Sequence, residues 1–156
     1  MNSLVPRRRA LMPNEKTELP VMNPAFDYTL GYIIDKDVGR PYLKEAEGYA
    51  ATDFIDCGVT GSFKLFRPLS SKPDASGLAS HLLQYKEVNG VYTDWWHNKI
   101  TGGTTATIAL SANTRYIRFG FDPDTMADMY AYNSTTGQVY YAGVNTPYYG
   151  KTNIND

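Results

Sequence analysis

The chain has 156 residues, of which 42% are hydrophobic and 20% charged, a balance typical of a folded domain and not of a disordered segment. The formal net charge is −1, which excludes the strong basic excess of a typical nucleic-acid-binding protein. The single cysteine, Cys57, excludes an internal disulfide, and no run of about 20 apolar residues predicts a membrane span.

Residues 1–25 are predicted to form an extended arm. Four prolines interrupt any helix there, because each removes a backbone donor and fixes its own φ. The apolar residues are scattered, which favours a segment that orders on another protein and lacks the continuous apolar core of a secretion signal. The arginines suit the carboxylates of a protein partner better than nucleic acid. The expected assembly residues are Leu4, Arg7, Arg8, Arg9, Leu11 and Met12.

The body, residues 26–146, divides into short apolar runs separated by glycine, proline and asparagine. Such spacing predicts an all-β fold, an antiparallel β-sandwich of the jelly-roll type, preceded by the arm and followed by a tail at residues 147–156. The predicted strands are residues 29–35, 49–57, 62–67, 78–88, 92–98, 104–110, 115–122, 129–133 and 138–142.

Local patterns add detail to this fold. Strict alternation at 115–122 places Ile117 and Phe119 in the core, with Arg118 facing outward. The pair Asn89-Gly90 predicts a tight hairpin turn, since both residues tolerate positive φ. Residues 78–85 also fit one helical face, but the turn that follows needs a strand partner, so we favour a strand. Glu45 and Glu47 are expected in a polar loop.

One cluster of aromatic and polar residues indicates a ligand-binding site. Neighbouring tryptophans in a strand point to opposite faces, so one is expected in the core and the other at the surface. An exposed indole can stack on the apolar face of a sugar while nearby polar groups bind its hydroxyls. Core packing or a subunit contact is the plainer interpretation of the same residues. The candidate ligand-binding residues are Tyr92, Asp94, Trp95, Trp96, His97 and Asn98.

Other residue groups predict less. The aromatic group Tyr140, Tyr141, Tyr148 and Tyr149 fits either a partner surface or a tail that closes the sheet edge. The carboxylates of Asp122, Asp124 and Asp128 are interpreted as a solvated turn in preference to a calcium site.

No residue constellation predicts catalysis. His81 and His97 are too isolated for zinc, and Cys57 is expected to be a buried thiol. No phosphate-binding loop or nucleophile elbow is present in the sequence. We therefore expect no enzyme, no cofactor and no metal.

Three motifs carry a resemblance to a known group of proteins. They are Gly-Tyr-Ile-Ile-Asp at 31–35, Gly-Tyr-Ala-Ala-Thr-Asp-Phe-Ile-Asp at 48–56, and Asn-Thr-Arg-Tyr-Ile-Arg-Phe-Gly-Phe at 113–121. In this order they resemble the β-sandwich, carbohydrate-binding-like modules of phage fibres and tail appendages. The Arg-Arg-Arg-Ala-Leu-Met start is similar to the opening of some phage tail proteins.

The resemblance implies a phage virion protein. A surface-type module without an export signal is expected to assemble in the host cytoplasm and leave by lysis within a particle. The expected role is a head fibre, decoration, tail or baseplate component. It would be held by its arm to other virion proteins, form a homo-oligomer and bind host-surface glycans, without membrane or nucleic-acid partners. The alternative is a stand-alone bacterial carbohydrate-binding protein.

Overall fold

The computed structural model describes residues 25–39, 42–58, 61–72, 79–110 and 114–146. All six predicted assembly residues (Leu4, Arg7, Arg8, Arg9, Leu11 and Met12) lie outside these ranges, as do Tyr148 and Tyr149. The described ranges contain no helix with the length and hydropathy that a bilayer-spanning segment requires.

The predicted all-β fold is confirmed, because strands make up most of the described residues. Two short 3₁₀ helices, Lys36–Val38 and Pro123–Asp128, interrupt them. The strands are β1 (Ala25–Ile34), β2 (Leu43–Thr52), β3 (Ile55–Asp56), β4 (Ser62–Phe66), β5 (His81–Val88), β6 (Val91–Lys99), β7 (Thr105–Ala109), β8 (Thr114–Phe121), β9 (Tyr130–Asn133) and β10 (Val139–Asn145). Each of the nine predicted runs overlaps a strand, and the run at 49–57 divides between β2 and β3.

The strands form one mixed sheet in the order β6-β5-β8-β2-β1-β10-β9-β4-β7, with β3 paired to β8. The recorded strand pairs are antiparallel except that of β1 with β10, in which Ala25 lies opposite Tyr141 and Phe26 opposite Ala142. The first and last strands of the body therefore lie side by side and run in the same direction.

The sheet curls so that its two halves enclose one core. Phe63 and Leu65 of β4 pack there with Phe119 and Phe121 of β8, and Phe26 of β1 makes edge-to-face contacts with both of the latter rings. The inward facing of Ile117 and Phe119 is confirmed, and Phe121 faces the same way, since each of the three side chains is at most 1% exposed.

Arg118 lies on the face of β8 opposite Ile117 and Phe119, as expected, but this face is covered by the same chain and is not at the surface. This side chain is buried, because the opposite face of β8 carries a second apolar cluster that includes Tyr85. Arg118 Nε donates a hydrogen bond to the Thr52 carbonyl oxygen at 3.0 Å, and the guanidinium lies 4.6 Å from the centre of the Phe54 ring. Both faces of β8 are thus covered within one chain.

The polar loop expected at Glu45 and Glu47 is wrong, because both residues lie in the first half of strand β2. The register of β1 and β2 shifts between the pairs formed by Leu30 and Tyr32, next to Gly31 with φ +88°. Gly48 adopts φ +85°, which glycine tolerates at no steric cost. This irregularity breaks the alternation that sequence reading relies on, while both glutamates remain exposed.

The predicted hairpin between β5 and β6 is confirmed. Asn89 and Gly90 have φ values of 53° and 82°, as a tight turn with positive φ at both central residues requires, and Val88 pairs with Val91. Residues 81–88 form a strand, as we favoured, and not the alternative helix.

Candidate functional site

A β-bulge shapes the tryptophan cluster in β6. In the pairing with β5, Gln84 lies opposite Trp96 and Tyr85 opposite Asp94, so Trp95 is an extra residue. The two indoles consequently lie beside each other, with ring centres 5.7 Å apart and planes at 37°. The expected division into one core and one surface tryptophan is wrong, because Trp96 is 53% exposed and Trp95 is only partly buried.

Contacts on several sides hold the ring of Trp95. Its Nε1 donates to Thr114 Oγ1 at 2.9 Å, and the Lys86 ammonium lies 5.1 Å from its ring centre, a cation–π distance. Trp96 lies between this fixed ring and His97, whose ring stacks on it at 6.3 Å with 24° between the planes. Trp96 therefore has aromatic support and a surface that faces solvent.

A pocket of about 280 Å³ opens beside the two tryptophans. This volume is close to the lower end of the range for small-ligand sites, about 300–1,000 Å³. The lining residues are Lys36, Tyr42, Leu83, Asp94, Trp95, Trp96 and His97.

Tyr42 connects the loop after the first 3₁₀ helix to this pocket. Its hydroxyl donates to Asp94 Oδ2 at 2.7 Å, which fixes the orientation of the carboxylate. Its backbone is fixed by bonds to Gly39 and Asp35, and it adopts φ +67°, a left-handed conformation that is uncommon for a residue with a Cβ. Strained backbone of this kind is concentrated at binding and catalytic sites.

Charged groups at the pocket are mixed in sign. Lys36 Nζ bonds Asp37 at 2.7 Å, and this bond with its charge lowers the pKa of the Asp37 carboxyl below its usual value. His81 makes an edge-to-face contact with His97 at 6.5 Å, and burial lowers the pKa of His81 despite the nearby Asp35 carboxylate. The mouth therefore offers both donors and acceptors to a hydroxyl-rich ligand.

Four of the six predicted ligand-binding residues line this pocket: Asp94, Trp95, Trp96 and His97. The other two lie elsewhere. The ring of Tyr92 packs edge-to-face on Tyr116 at 5.0 Å, and Asn98 Oδ1 accepts a bond from buried Gln84.

The sequence analysis did not identify three of the lining residues, Lys36, Tyr42 and Leu83. The first two precede the tryptophans by more than 50 residues in the chain, and Leu83 lies in β5, the other strand of the hairpin. Leu83 shows only the apolar pattern of a strand, and the segment from Lys36 to Tyr42 has no sequence motif. Only the fold brings these three to the tryptophans.

The other candidate groups are structural. Asp122 accepts bonds from Lys72 and Ser70, so its carboxylate joins the 67–72 segment to the second 3₁₀ helix. In the described ranges, no three His, Cys, Asp or Glu side chains converge as metal ligands do. Cys57 is buried as predicted. Of the terminal tyrosines in the described part, Tyr140 belongs to the core and Tyr141 is exposed.

Comparisons with protein-family models, curated proteins and solved structures find no match to this chain. The three motifs fall mainly in β1, β2 and β8, which are neighbours in the sheet.

Proposed function

We propose that the protein is a structural component of a phage virion that binds a host-surface glycan in the pocket beside β6. The observation that supports the binding role is the exposure of the Trp96 ring beside the pocket. This indole is half exposed, lies at the mouth of a pocket, and is supported by two further rings. Leaving so large an apolar surface in water is costly unless a ligand or partner covers it.

The remaining lining of the pocket suits a sugar. The indoles and Leu83 offer apolar surface to the C–H face of a pyranose ring, while Lys36, Asp94 and His97 offer groups for its hydroxyls. A volume of about 280 Å³ fits a small ligand, so one terminal sugar unit is the expected occupant.

The virion role is supported by the sequence resemblance. In this proposal the domain is a head-fibre, decoration, tail or baseplate component that assembles as a homo-oligomer in the host cytoplasm. Its arm, residues 1–25, holds it to other virion proteins. β1 begins at Ala25, at the end of the segment proposed as the arm.

The binding role is tested with a glycan array probed by the full chain and by Trp96→Ala. Loss of a central aromatic contact costs about 2 kcal/mol or more, so array binding should fall at least about tenfold. Val144→Ala, which removes another exposed apolar side chain away from β6, serves as the control and should bind as the parent does. Circular dichroism and oligomeric state should be unchanged in both variants. Equal binding by Trp96→Ala and the parent would exclude the pocket as the glycan site.

The alternative, a stand-alone bacterial carbohydrate-binding protein, uses the same pocket and differs in where the protein is found. Immunogold labelling of particles released when cells making the protein lyse distinguishes the two. Label on particles supports the virion role. Label confined to the soluble lysate fraction supports the stand-alone protein.

A further inference from the structure

A row of aromatic side chains crosses the outer face of the sheet and ends beside the first described residue. Phe66 of β4 lies opposite Tyr130 of β9, with ring centres 5.7 Å apart and planes at 23°. One pair beyond the last recorded pair of β9 and β10, Tyr141 lies beside Tyr130, and Tyr141 also lies opposite Ala25. We call Phe66, Tyr130 and Tyr141 the aromatic row. Its last member is therefore next to the point at which β1 begins.

The aromatic row is an accessible apolar surface. Tyr130 is 45% and Tyr141 53% exposed, whereas residues that alternate with them, such as Ala131 and Tyr140, are buried in the core. Phe66 and Tyr130 stack on each other, so the row presents ring edges together with the more open ring of Tyr141. Aliphatic groups pack well on such a surface, since hydrophobic contact is not directional.

The segment just before Ala25 has the composition that this surface requires. Residues 19–24 read Leu-Pro-Val-Met-Asn-Pro and include no charged side chain. Segments that contain proline lose little conformational entropy on docking, and they bind grooves lined by aromatic rings in several kinds of domain. Residues 19–24 therefore supply apolar groups directly beside the aromatic row.

The distances also match this segment. Adjacent strands lie about 4.8 Å apart, so the three steps from β1 across β10 and β9 to β4 cover about 15 Å. Six extended residues span about 20 Å, which is enough for residues 19–24 to turn back at Ala25 and reach Phe66. The chain that follows β10 is less well placed, because it leaves the strand at Asn145, about 13 Å beyond Tyr141, and must double back.

Charged groups beside the aromatic row favour the same occupant. Asp27 of β1 accepts a bond from the Val144 amide, and exposed Asp128 precedes Tyr130 by two positions, so carboxylates border the row. Lys64 adds one positive charge, which leaves a small negative excess. Residues 1–18 contain four basic residues against two acidic ones, so the rest of the arm has the complementary charge.

We infer that residues 19–24 turn back at Ala25 and pack across the aromatic row of the same chain. The contact removes the rings of Tyr130 and Tyr141 from water. Residues 1–18 then leave the domain near β4 and β7 and remain available to other proteins. This contact is additional to the role proposed for the arm, and it holds whether or not the pocket beside β6 binds a glycan.

Oxidation of methionine by hydrogen peroxide, measured by peptide mass spectrometry on the full-length protein, tests this inference. Met22 should react at least about fivefold more slowly than Met12, because oxidation follows exposure and Met22 lies in the docked segment. The double variant Tyr130→Ala/Tyr141→Ala should bring the two rates together, whereas Trp96→Ala, which removes an exposed ring elsewhere, should leave them apart. Equal rates in the folded parent, or unchanged protection of Met22 in a folded double variant, would overturn the inference.

Photocross-linking gives a second result that does not require the alanine variant to fold. With p-benzoylphenylalanine in place of Tyr141, the full-length protein should cross-link to residues 19–24 of the same copy. The same group in place of Trp96 should not reach that segment. A mixture of unlabelled and ¹⁵N-labelled protein shows whether both cross-linked peptides come from one copy. Cross-links to residues 19–24 of another copy, to residues 147–156, or to neither segment would contradict the inference.

Discussion

Trp95 Nε1 donates a hydrogen bond to Thr114 Oγ1 across 2.9 Å, joining the bulge of β6 to the first residue of β8. Thr114 in turn donates to Gln84 Oε1 at 3.2 Å, and Gln84 Nε2 donates to Asn98 Oδ1 at 2.8 Å. Thr114 and Gln84 are buried, so these bonds are shielded from water. The chain of bonds fixes one indole and leaves its neighbour Trp96 at the surface.

Replacing Thr114 with valine, which has a similar shape, should destabilise the domain. The substitution leaves the Trp95 indole N–H and the Gln84 amide oxygen without this partner, and each unsatisfied buried group costs about 1–3 kcal/mol. Urea denaturation should show a lower free energy of unfolding. Thr107→Val on the exposed face of β7 is the matched control and should change stability little. A Thr114→Val variant as stable as the parent would show that water replaces the hydroxyl.

Arg118→Ser should be strongly destabilising, in contrast to the small effect that the strand pattern alone predicts. The change removes the bond to the Thr52 carbonyl and leaves a cavity beneath Phe54, which together should cost about 2–4 kcal/mol. Arg115→Ser is the control, since its ion pair with Asp56 is half exposed and such pairs contribute at most about 1 kcal/mol. Equal urea midpoints for the two variants would contradict the burial of Arg118.

The Asp122 carboxylate should make stability depend on acid pH. Burial alone would raise its pKa, but bonds from Lys72, Ser70 and the Asp124 backbone outweigh burial and leave the pKa below the usual 3.8. A lowered folded-state pKa stabilises the protein above the unfolded value, and this contribution is lost as the pH falls through the folded pKa. Asp122→Asn should therefore be less stable at neutral pH, and the difference should shrink in acid. The exposed Asp124→Asn should show a smaller difference, and a pH-independent gap for Asp122→Asn would contradict the assignment.

The thiol of Cys57 should be inert while the protein is folded. Burial raises its pKa to about 12, and its Sγ donates to the Arg115 carbonyl oxygen at 3.1 Å. Since the thiolate is the reacting form, a chromogenic disulfide reagent should label the native protein very slowly and the denatured protein at once. Rapid, complete labelling without denaturant would show that the strand β3 opens easily.

Much of the fold could be predicted because local chemistry determined it. The alternation of Ile117 and Phe119 with polar neighbours identified the inner face of β8, and the Asn89-Gly90 turn identified the β5–β6 hairpin. The cluster Asp94 to His97 was also visible, since large aromatic and polar residues are close together in the sequence. These features depend on neighbours within a few residues.

The features that were missed depend on distant residues or on irregular backbone. Arg118 is buried by Phe54 and Tyr85, which no pattern in β8 can indicate. The bulge at Trp95 cancels the strict two-residue period, so adjacent indoles share one pocket. Tyr42 reaches Asp94 from 52 positions away in the chain. The positions of these side chains therefore depend on pairing between strands that are distant in the sequence, which composition and periodicity do not specify.

The parallel pairing of β1 with β10 also has a consequence for synthesis on the ribosome. The edge of β1 that binds β10 emerges first, and its partner, ending at Asn145, emerges more than a hundred residues later. At about 5–20 residues per second, the nascent chain waits several seconds or longer with that edge and the core beneath it incomplete. Contacts between such distant segments also slow folding. The domain should thus acquire its native structure only after nearly all of it has been translated, and chaperones that cover exposed strands would be most useful during that interval.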